Sequence, residues 1–305
     1  MRILVIGGTG FIGRHLIARL SGGQHQILVP TRRYGQGREL QILPTVTLLA
    51  SDVHDDDALD RLARDCDVVV NLVGILHGNA GRPYGSDFAQ AHVHLPQRIA
   101  RACRRQACAG CCMSVRWGRI PMAAACTSVP RAMARPPSGR SWPIGAKGVD
   151  DVPPSVVFGP DDNFTNMFAR LARWLPVLPL AGAHARMQPV YVGDVVSAML
   201  SALANTHACG KTYELGGPQV YTLGEIARLC AGWSGHPRPV MSVPMGVGRM
   251  QALLFECLPG RPLMSRDNLD SLRSDNICGA PMAPELNVVP TGLEAVAPGY
   301  LAPAR

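Results

Sequence analysis

The sequence predicts an α/β fold: a doubly wound parallel sheet with a smaller C-terminal helical portion. Three observations support this prediction. Apolar runs too short for helices alternate with amphipathic segments, as in chains whose strands pair in parallel. The first run, Ile3–Ile6, leads into a glycine-rich turn and then a helical pattern. Helical patterns dominate the C-terminal part, at 222–233, 245–258 and 265–274.

The glycine-rich turn has the spacing G-x-x-G-x-x-G. Residues without a Cβ let the backbone approach a pyrophosphate, and the free N–H groups of the following helical turn face its negative charge. A glycine turn without a ligand is the alternative, but a strand precedes this turn and a helix follows it. The segment therefore predicts a Rossmann-type dinucleotide site formed by Gly7, Gly8, Thr9, Gly10, Phe11, Ile12 and Gly13.

The second strand predicts which dinucleotide is bound. The predicted strand Gln26–Pro30 is followed by Thr31, Arg32 and Arg33. At this place an NAD enzyme usually has an Asp or Glu that binds the ribose 2′-hydroxyl. Two arginines suit a 2′-phosphate instead, so NADP(H) is favoured over NAD(H). The alternative is a pair of solvated loop arginines.

Further candidate positions follow the third and fourth strands, Val46–Ala50 and Asp67–Val73. Open parallel sheets bind ligands at the carboxyl ends of their strands. Asp52 either meets the adenine edge or caps the next helix, and the sequence leaves both interpretations open. The predicted cofactor-lining positions at these two strand ends are Asp52, Val53, Asn71, Val73 and Gly74.

Composition limits the function classes. The net charge of +8 is local, because residues 107–149 hold six basic residues and no acid, and 24 basic and 22 acidic residues remain elsewhere. Nucleic acid is therefore not an expected partner. No apolar run approaches the ~18 residues of a membrane span, so we expect a cytoplasmic protein. The ten cysteines are expected to be reduced thiols.

No metal site is predicted. Cys108, Cys111 and Cys126 offer at most three thiolates, without a fourth ligand at zinc spacing. His92 and His94, two residues apart, would point to different faces of a helix.

Four motifs carry a resemblance to a known family. They are Gly7–Gly13, Asn71–Gly74, Pro154–Gly159 with 161–164 after it, and Tyr191–Val195. Together they resemble the extended and atypical short-chain dehydrogenase/reductases of the NAD-dependent epimerase/dehydratase family. The chain is most similar to the NAD(P)H-binding 39-kDa-type accessory subunits of respiratory complex I and their bacterial relatives. The resemblance implies a nucleotide cofactor, commonly NADPH, weak or undemonstrated catalysis in several members, and a respiratory complex or the periphery of the inner membrane as partner.

Residues 107–150 depart from that family. The family has a fifth strand ending in Ser or Thr there, followed by the proton-transfer pair Tyr-x-x-x-Lys. None of the six tyrosines of this chain has a Lys four residues on, so no catalytic residue is predicted. Five prolines from 121 to 143 exclude a long helix, and the composition does not indicate a strand.

The codons of this segment suggest a cause. Read two bases later, Cys111–Ser114 permits Leu, then His or Tyr, then Val, and Cys126–Arg131 permits Tyr-Leu-Arg-Ser-Lys. The hypothesis is that about 107–150 is translated out of frame. The predicted division is a Rossmann domain at 1–215, with 107–150 aberrant, and a smaller substrate or partner portion at 216–305.

Three functions remain open. The first is an NAD(P)H-binding dehydrogenase relative with impaired catalysis, and the second is a non-catalytic accessory or assembly protein of respiratory complex I. The third is an active NADP-dependent reductase or epimerase, which applies only to an in-frame protein. Two local interpretations complete the analysis: Asp194 is a structural helix cap, and 174–180 is substrate-domain core or, as the alternative, a membrane-facing or partner patch.

Overall fold

The computed structural model describes residues 1–74, 86–106, 112–114, 156–205, 213–244, 246, 248, 272 and 275–303. The chain divides into two compact units, the first made of Met1–Asp151 with Val196–Thr212 and the second of Val152–Val195 with Tyr213–Arg305. The role assigned to 216–305 stays a prediction. The expected helices at 245–258 and 265–274, and most of 107–150, lie outside the described residues.

The first unit contains a five-stranded parallel sheet in the order β3-β2-β1-β4-β5. Its strands are β1 (Arg2–Ile6), β2 (Gln26–Thr31), β3 (Val46–Ala50), β4 (Val68–Asn71) and β5 (Cys112–Ser114). Strand order reverses at β1, with β2 on one side and β4 on the other. The doubly wound sheet predicted from the sequence is confirmed, and a ligand crevice belongs at the carboxyl ends of β1 and β4.

The helices of the first unit connect these strands. They are α1 (Phe11–Leu20), α2 (Asp56–Ala63), α3 (Ser86–Ala89) and α4 (Leu95–Arg105), with a 3₁₀ segment at Tyr34–Ile42 and a π-helical turn at Gln90–His94 between α3 and α4. Apolar residues of β1, β4, α2 and α4 form one buried cluster. Leu4, Leu59 and Leu95 are within it, each 1% exposed or less. This cluster packs α2 and α4 against β1 and β4, the two strands whose carboxyl ends border the candidate site.

The sequence-based view that 107–150 contains no strand is wrong at β5. Cys112–Ser114 pairs in parallel with β4, in a register that places Ser114 beside Asn71. The pairing is made by backbone groups, and the outer edge of β4 would otherwise leave a row of these groups unpaired. The atypical composition was therefore a poor guide to this short edge strand.

The described residues of the second unit form short strands and helices. The strands are β6 (Val157–Phe158), β7 (Leu178–Ala181), β8 (Arg186–Met187), β9 (Val190–Tyr191), β10 (Tyr221–Thr222) and β11 (Val240–Val243). The helices are α5 (Thr165–Trp174), α6 (Val192–Ala204), α7 (Leu223–Trp233) and α8 (Leu293–Leu301), with a 3₁₀ turn at Pro284–Leu286. Of these, α6 begins in the second unit and belongs to the first from Val196 onward. The core of the second unit is formed around Phe158, Phe168 and Ile226. The helix signal beginning at Thr222 is confirmed.

Candidate dinucleotide-binding site

Three glycines of the turn between β1 and α1 are required by the fold itself. Gly7 has φ +81°, in the left-handed region that favours glycine. A Cβ on Gly13 would lie 2.5 Å from the Gly8 carbonyl oxygen, and a Cβ on Gly8 would lie 2.8 Å from side-chain atoms of Ile17 and Val29. The start of α1 therefore packs so closely on the turn and the sheet that residues 8 and 13 have no room for a side chain.

Gly10 differs from the other three. It is exposed, and among the described atoms a Cβ there would meet only the Gly7 carbonyl oxygen, at 3.1 Å. It occupies the N-cap position of α1, which has no side-chain cap and no acidic residue in its first turn. The first N–H groups of a helix have no partner within the helix, and they favour anions. The open face of Gly10 therefore provides space beside donors suited to a phosphate.

The rest of the turn packs on its surroundings. Ile12 is 5% exposed, while the ring of Phe11 contacts the His15 ring edge to face at 5.3 Å between centroids. The methyl group of Thr9 lies beside Gly37 of the 3₁₀ segment, since a Cβ on Gly37 would be 3.2 Å from it. The 3₁₀ segment therefore lies against the glycine turn.

The end of β2 presents two exposed arginines. Thr31 is 7% exposed, and its Oγ1 lies 3.2 Å from both the backbone nitrogen and the carbonyl oxygen of Arg33. Arg32 and Arg33 themselves are exposed, and neither forms an ion pair with a described residue. Arg14, by contrast, is paired with Glu39 at 2.8 Å. Thr31 thus shapes the turn that carries Arg32 and Arg33.

The structure excludes one of the two interpretations of Asp52. The N-cap of α2 is Asp55, whose carboxylate accepts from the Asp57 N–H at 3.2 Å. Asp52 instead accepts from the His54 N–H at 3.0 Å and is exposed beyond β3. Asp52 as the cap of α2 is therefore wrong, and its role toward adenine stays a prediction.

His54, next to this turn, adds no cation near neutral pH. Burial lowers the pKa of His54, Asp52 opposes this effect, and Arg32 adds to it. This shift from the ordinary value of 6.5 favours the neutral imidazole at pH 7.

The turn after β4 is held by the side chain of Asn71, the last residue of that strand. Asn71 is 2% exposed, and its Oδ1 accepts from the Val73 N–H at 3.2 Å. Val73 is partly buried against the core cluster that also borders Val53, and Gly74 is exposed. Their proposed contact with a cofactor stays a prediction, and the structure assigns Asn71 a role in shaping the turn.

Two tyrosines of the second unit, Tyr221 and Tyr300, have raised pKa values. A catalytic tyrosine needs a lowered pKa, whereas burial raises the pKa of Tyr221 to about 12 and also raises that of Tyr300. Both hydroxyls are engaged, Tyr221 with Gln219 and Glu294, and Tyr300 with Thr165. Neither tyrosine is followed by a Lys four residues on.

Two polar contacts were not anticipated from the sequence. One is the Arg14–Glu39 pair. The other is Asp162, which is 3% exposed and accepts from the Thr165 N–H at 2.6 Å at the start of α5. The N-cap position of α5 is Phe164, which has no side-chain cap, so no capping pattern in the sequence points to Asp162. Among the described residues, no group of three or more His, Cys, Asp or Glu could hold a metal ion.

The fold and the glycine turn define the class of protein: an α/β chain with a Rossmann-type, doubly wound parallel sheet. Residues 3–114 match the model of the NAD dependent epimerase/dehydratase family. The chain is 28% identical to the Mus musculus protein NADH dehydrogenase [ubiquinone] 1 alpha subcomplex subunit 9, mitochondrial, over 95% of this chain and 77% of that subunit. The family resemblance indicated by the motifs is confirmed.

Solved structures agree with this class at the level of the fold. Pal from Bacillus thuringiensis superposes with a TM-score of 0.68, 15% identity and 99% coverage of both chains. UDP-glucuronic acid 4-epimerase from Bacillus cereus, in complex with UDP-glucuronic acid and NAD, has a TM-score of 0.59, 17% identity and 99% coverage of both chains. None of the described helices is long and apolar enough to cross a bilayer.

Proposed function

We propose that this protein binds a nicotinamide dinucleotide at the turn Gly7–Gly13, with its pyrophosphate against the start of α1. The observation that carries this proposal is Gly10, whose open face adjoins an uncapped helix N-terminus. The other three glycines serve the packing of the turn, so a ligand is the physical reason for a fourth one.

The cofactor proposed is NADP(H) in preference to NAD(H). A 2′-phosphate beyond β2 would meet Arg32 and Arg33, which have no ion-pair partner among the described residues. A hydrogen bond to a charged group contributes about 1.5–3 kcal/mol, which corresponds to roughly ten- to hundredfold in affinity.

The test is a fluorescence titration of the purified protein with NADPH and with NADH. We expect NADPH to bind at least ~tenfold more tightly, and the double variant Arg32→Ala/Arg33→Ala to lose this preference while retaining NADH. Arg19→Ala is the matched control, because Arg19 is exposed in the last turn of α1, ~12 Å along the helix from its start. Equal affinities of the unaltered protein for the two nucleotides contradict the preference.

We propose that the protein is catalytically impaired, because its sequence lacks the Tyr-x-x-x-Lys pair. Hydride transfer to a carbonyl creates an alkoxide that needs a proton, and the family supplies it from a tyrosine activated by the lysine. The described tyrosines whose pKa is shifted have it raised, which supports this proposal.

A second candidate function is that of an accessory or assembly protein of a respiratory complex, positioned peripherally on the inner membrane. It is favoured by the similarity to an NADH dehydrogenase [ubiquinone] subunit along 95% of this chain. A tagged copy expressed in the source cells should comigrate with NADH dehydrogenase activity on a native gel of solubilised membranes. Migration away from that activity, with the tagged protein stable, contradicts this role.

A further inference from the structure

The end of α5 and the beginnings of β7 and β11 form an exposed apolar surface in the second unit. Trp174 is 83% exposed, Leu175 37% and Met241 57%. Pro179 is exposed as well, and it is the register partner of Met241, so these two side chains lie next to each other on one face. We name Trp174, Leu175, Pro176, Pro179 and Met241 the Trp174 surface.

The Trp174 surface is built on a well-anchored support. Arg238 donates to the Ala172 carbonyl oxygen at 3.0 Å, and the Leu178 N–H donates to the Pro239 carbonyl oxygen at 3.0 Å. Leu178 and Ala172 are buried beneath it. The sequence analysis predicted residues 174–180 either as core or as an exposed patch. The structure shows both within this segment, because Leu178 and Leu180 belong to the core and Trp174 is exposed.

The chain segments that form this surface carry basic residues and no acidic ones. The sequence has no Asp or Glu from 163 to 193 or from 226 to 244. Arg170 and Arg173 are exposed on α5 just before Trp174, and neither forms an ion pair with a described residue. A symmetric contact between two copies would bring these like charges together, which is unfavourable.

We propose that the Trp174 surface rests on a membrane rich in anionic lipid. Tryptophan favours the level of the lipid headgroups, where its ring is apolar on one side and wet on the other. An anionic leaflet attracts arginines close to its surface, and each contributes about fivefold in partitioning. This inference rests on the proposed peripheral position at a membrane, and it does not depend on nucleotide binding.

The test is flotation of the full chain with phosphatidylcholine vesicles that contain or lack phosphatidylglycerol. The protein should float with the anionic vesicles, and Trp174→Ser should remain in the dense fraction. Arg170→Gln/Arg173→Gln should lower partitioning by ~20-fold or more on anionic vesicles only. Val289→Ser is the matched control, because Val289 is 88% exposed in a segment that carries Glu285 and Glu294.

Several outcomes overturn the proposal. These are a failure of the unaltered protein to float, equal flotation with both kinds of vesicle, and an equal loss in Val289→Ser. A vesicle-free dimer that Trp174→Ser dissociates would assign the surface to a second copy instead. An NADPH titration of the same preparations separates the two proposals, because Trp174→Ser should leave nucleotide affinity unchanged.

Discussion

Asp162 shows how one buried carboxylate holds several parts of the second unit. It accepts hydrogen bonds from the Gly159 N–H at 2.9 Å, the Thr165 hydroxyl at 2.6 Å and the Tyr300 hydroxyl at 3.2 Å. These bonds join the turn after β6, the start of α5 and the end of α8. A buried carboxylate needs such partners, because its desolvation is unfavourable.

Asp162→Ala is expected to lower the free energy of unfolding by on the order of 3 kcal/mol, since several donors lose a charged acceptor. The measurement is urea-induced unfolding followed by circular dichroism. Asn163→Ala is the control, because Asn163 is exposed and should change stability by less than about 0.5 kcal/mol. Equal stability of the two variants would show that the Asp162 network contributes little.

The beginnings of α7 and α8 have the same Thr-x-x-Glu spacing but different structures. At α7, Thr222 and Glu225 form a complete capping box. At α8 the N-cap is Gly292, which has no side-chain cap, so the capping box that this spacing favours is not formed. Thr291 instead donates its N–H and its hydroxyl to Asp194, at 2.6 and 3.0 Å. The same local signal therefore gave two different structures, because Thr291 has a distant partner in Asp194.

Removing the capping box should be destabilising in a pH-dependent way. Thr222→Ala is expected to lower the free energy of unfolding by about 0.5–2 kcal/mol. The backbone N–H of Thr222 lowers the pKa of Glu225 below its ordinary 4.5. The stabilisation by ionised Glu225 is therefore complete above pH 4.5 and is lost as pH falls through its lower, folded-state pKa. The variant that tests this dependence is Glu225→Gln, because the bond to ionised Glu225 comes from the Thr222 backbone, which Thr222→Ala retains. The stability difference between Glu225→Gln and the unaltered protein should vanish as pH falls through that pKa, and a constant difference at all pH values would contradict this.

Asp194 is a tie between helices, and the expectation that it accepts the first N–H groups of its own helix requires correction. It lies in the first turn of α6, and its carboxylate contacts Thr291, just before α8. Asp194→Ala and Thr291→Val should each be destabilising. In the double variant the losses should not add, because the two side chains share the same bonds. Additive losses in a thermal unfolding series would show that the tie contributes nothing.

Elements whose signal lies in their own few residues were predicted well from the sequence, and elements that depend on distant parts of the chain were not. β3 and α7 were located closely because an apolar run and a capping box are local signals. Cys112–Ser114 was missed because its pairing depends on the edge of β4, a distant part of the chain. In the candidate site, the positive φ of Gly7 agrees with the glycine spacing. The roles of Thr31 and Asn71 in shaping turns depend on side-chain bonds that no spacing indicates.

At the scale of the whole molecule, we expect no useful carbonyl reduction. A missing general acid forfeits ~10²–10⁴ of the rate. Assays with NADPH and a panel of aldehydes and ketones should show no turnover above the uncatalysed rate. Turnover that is lost in Tyr300→Phe or Tyr221→Phe would contradict this, because it would show that one of them supplies the proton.

Resequencing the gene tests the proposed origin of the departure at 107–150. A compensating pair of insertions or deletions near codons 107 and 150 should restore Tyr-x-x-x-Lys. An unbroken reading frame would contradict the frame hypothesis, and β5 would then be the native fifth strand.

The proposed dinucleotide site is tested most directly by titrating NADPH into the unaltered protein, Gly10→Val and Gly232→Val. Gly232 is the control, because a Cβ there meets no described atom within 4 Å, a Cβ on Gly10 meets only the Gly7 carbonyl oxygen, and Gly232 lies in the second unit. We expect Gly10→Val to lose measurable NADPH binding while its melting temperature stays within a few degrees of that of the unaltered protein. Gly232→Val should bind as the unaltered protein does. Full NADPH affinity in a folded Gly10→Val variant would contradict nucleotide binding at the glycine turn.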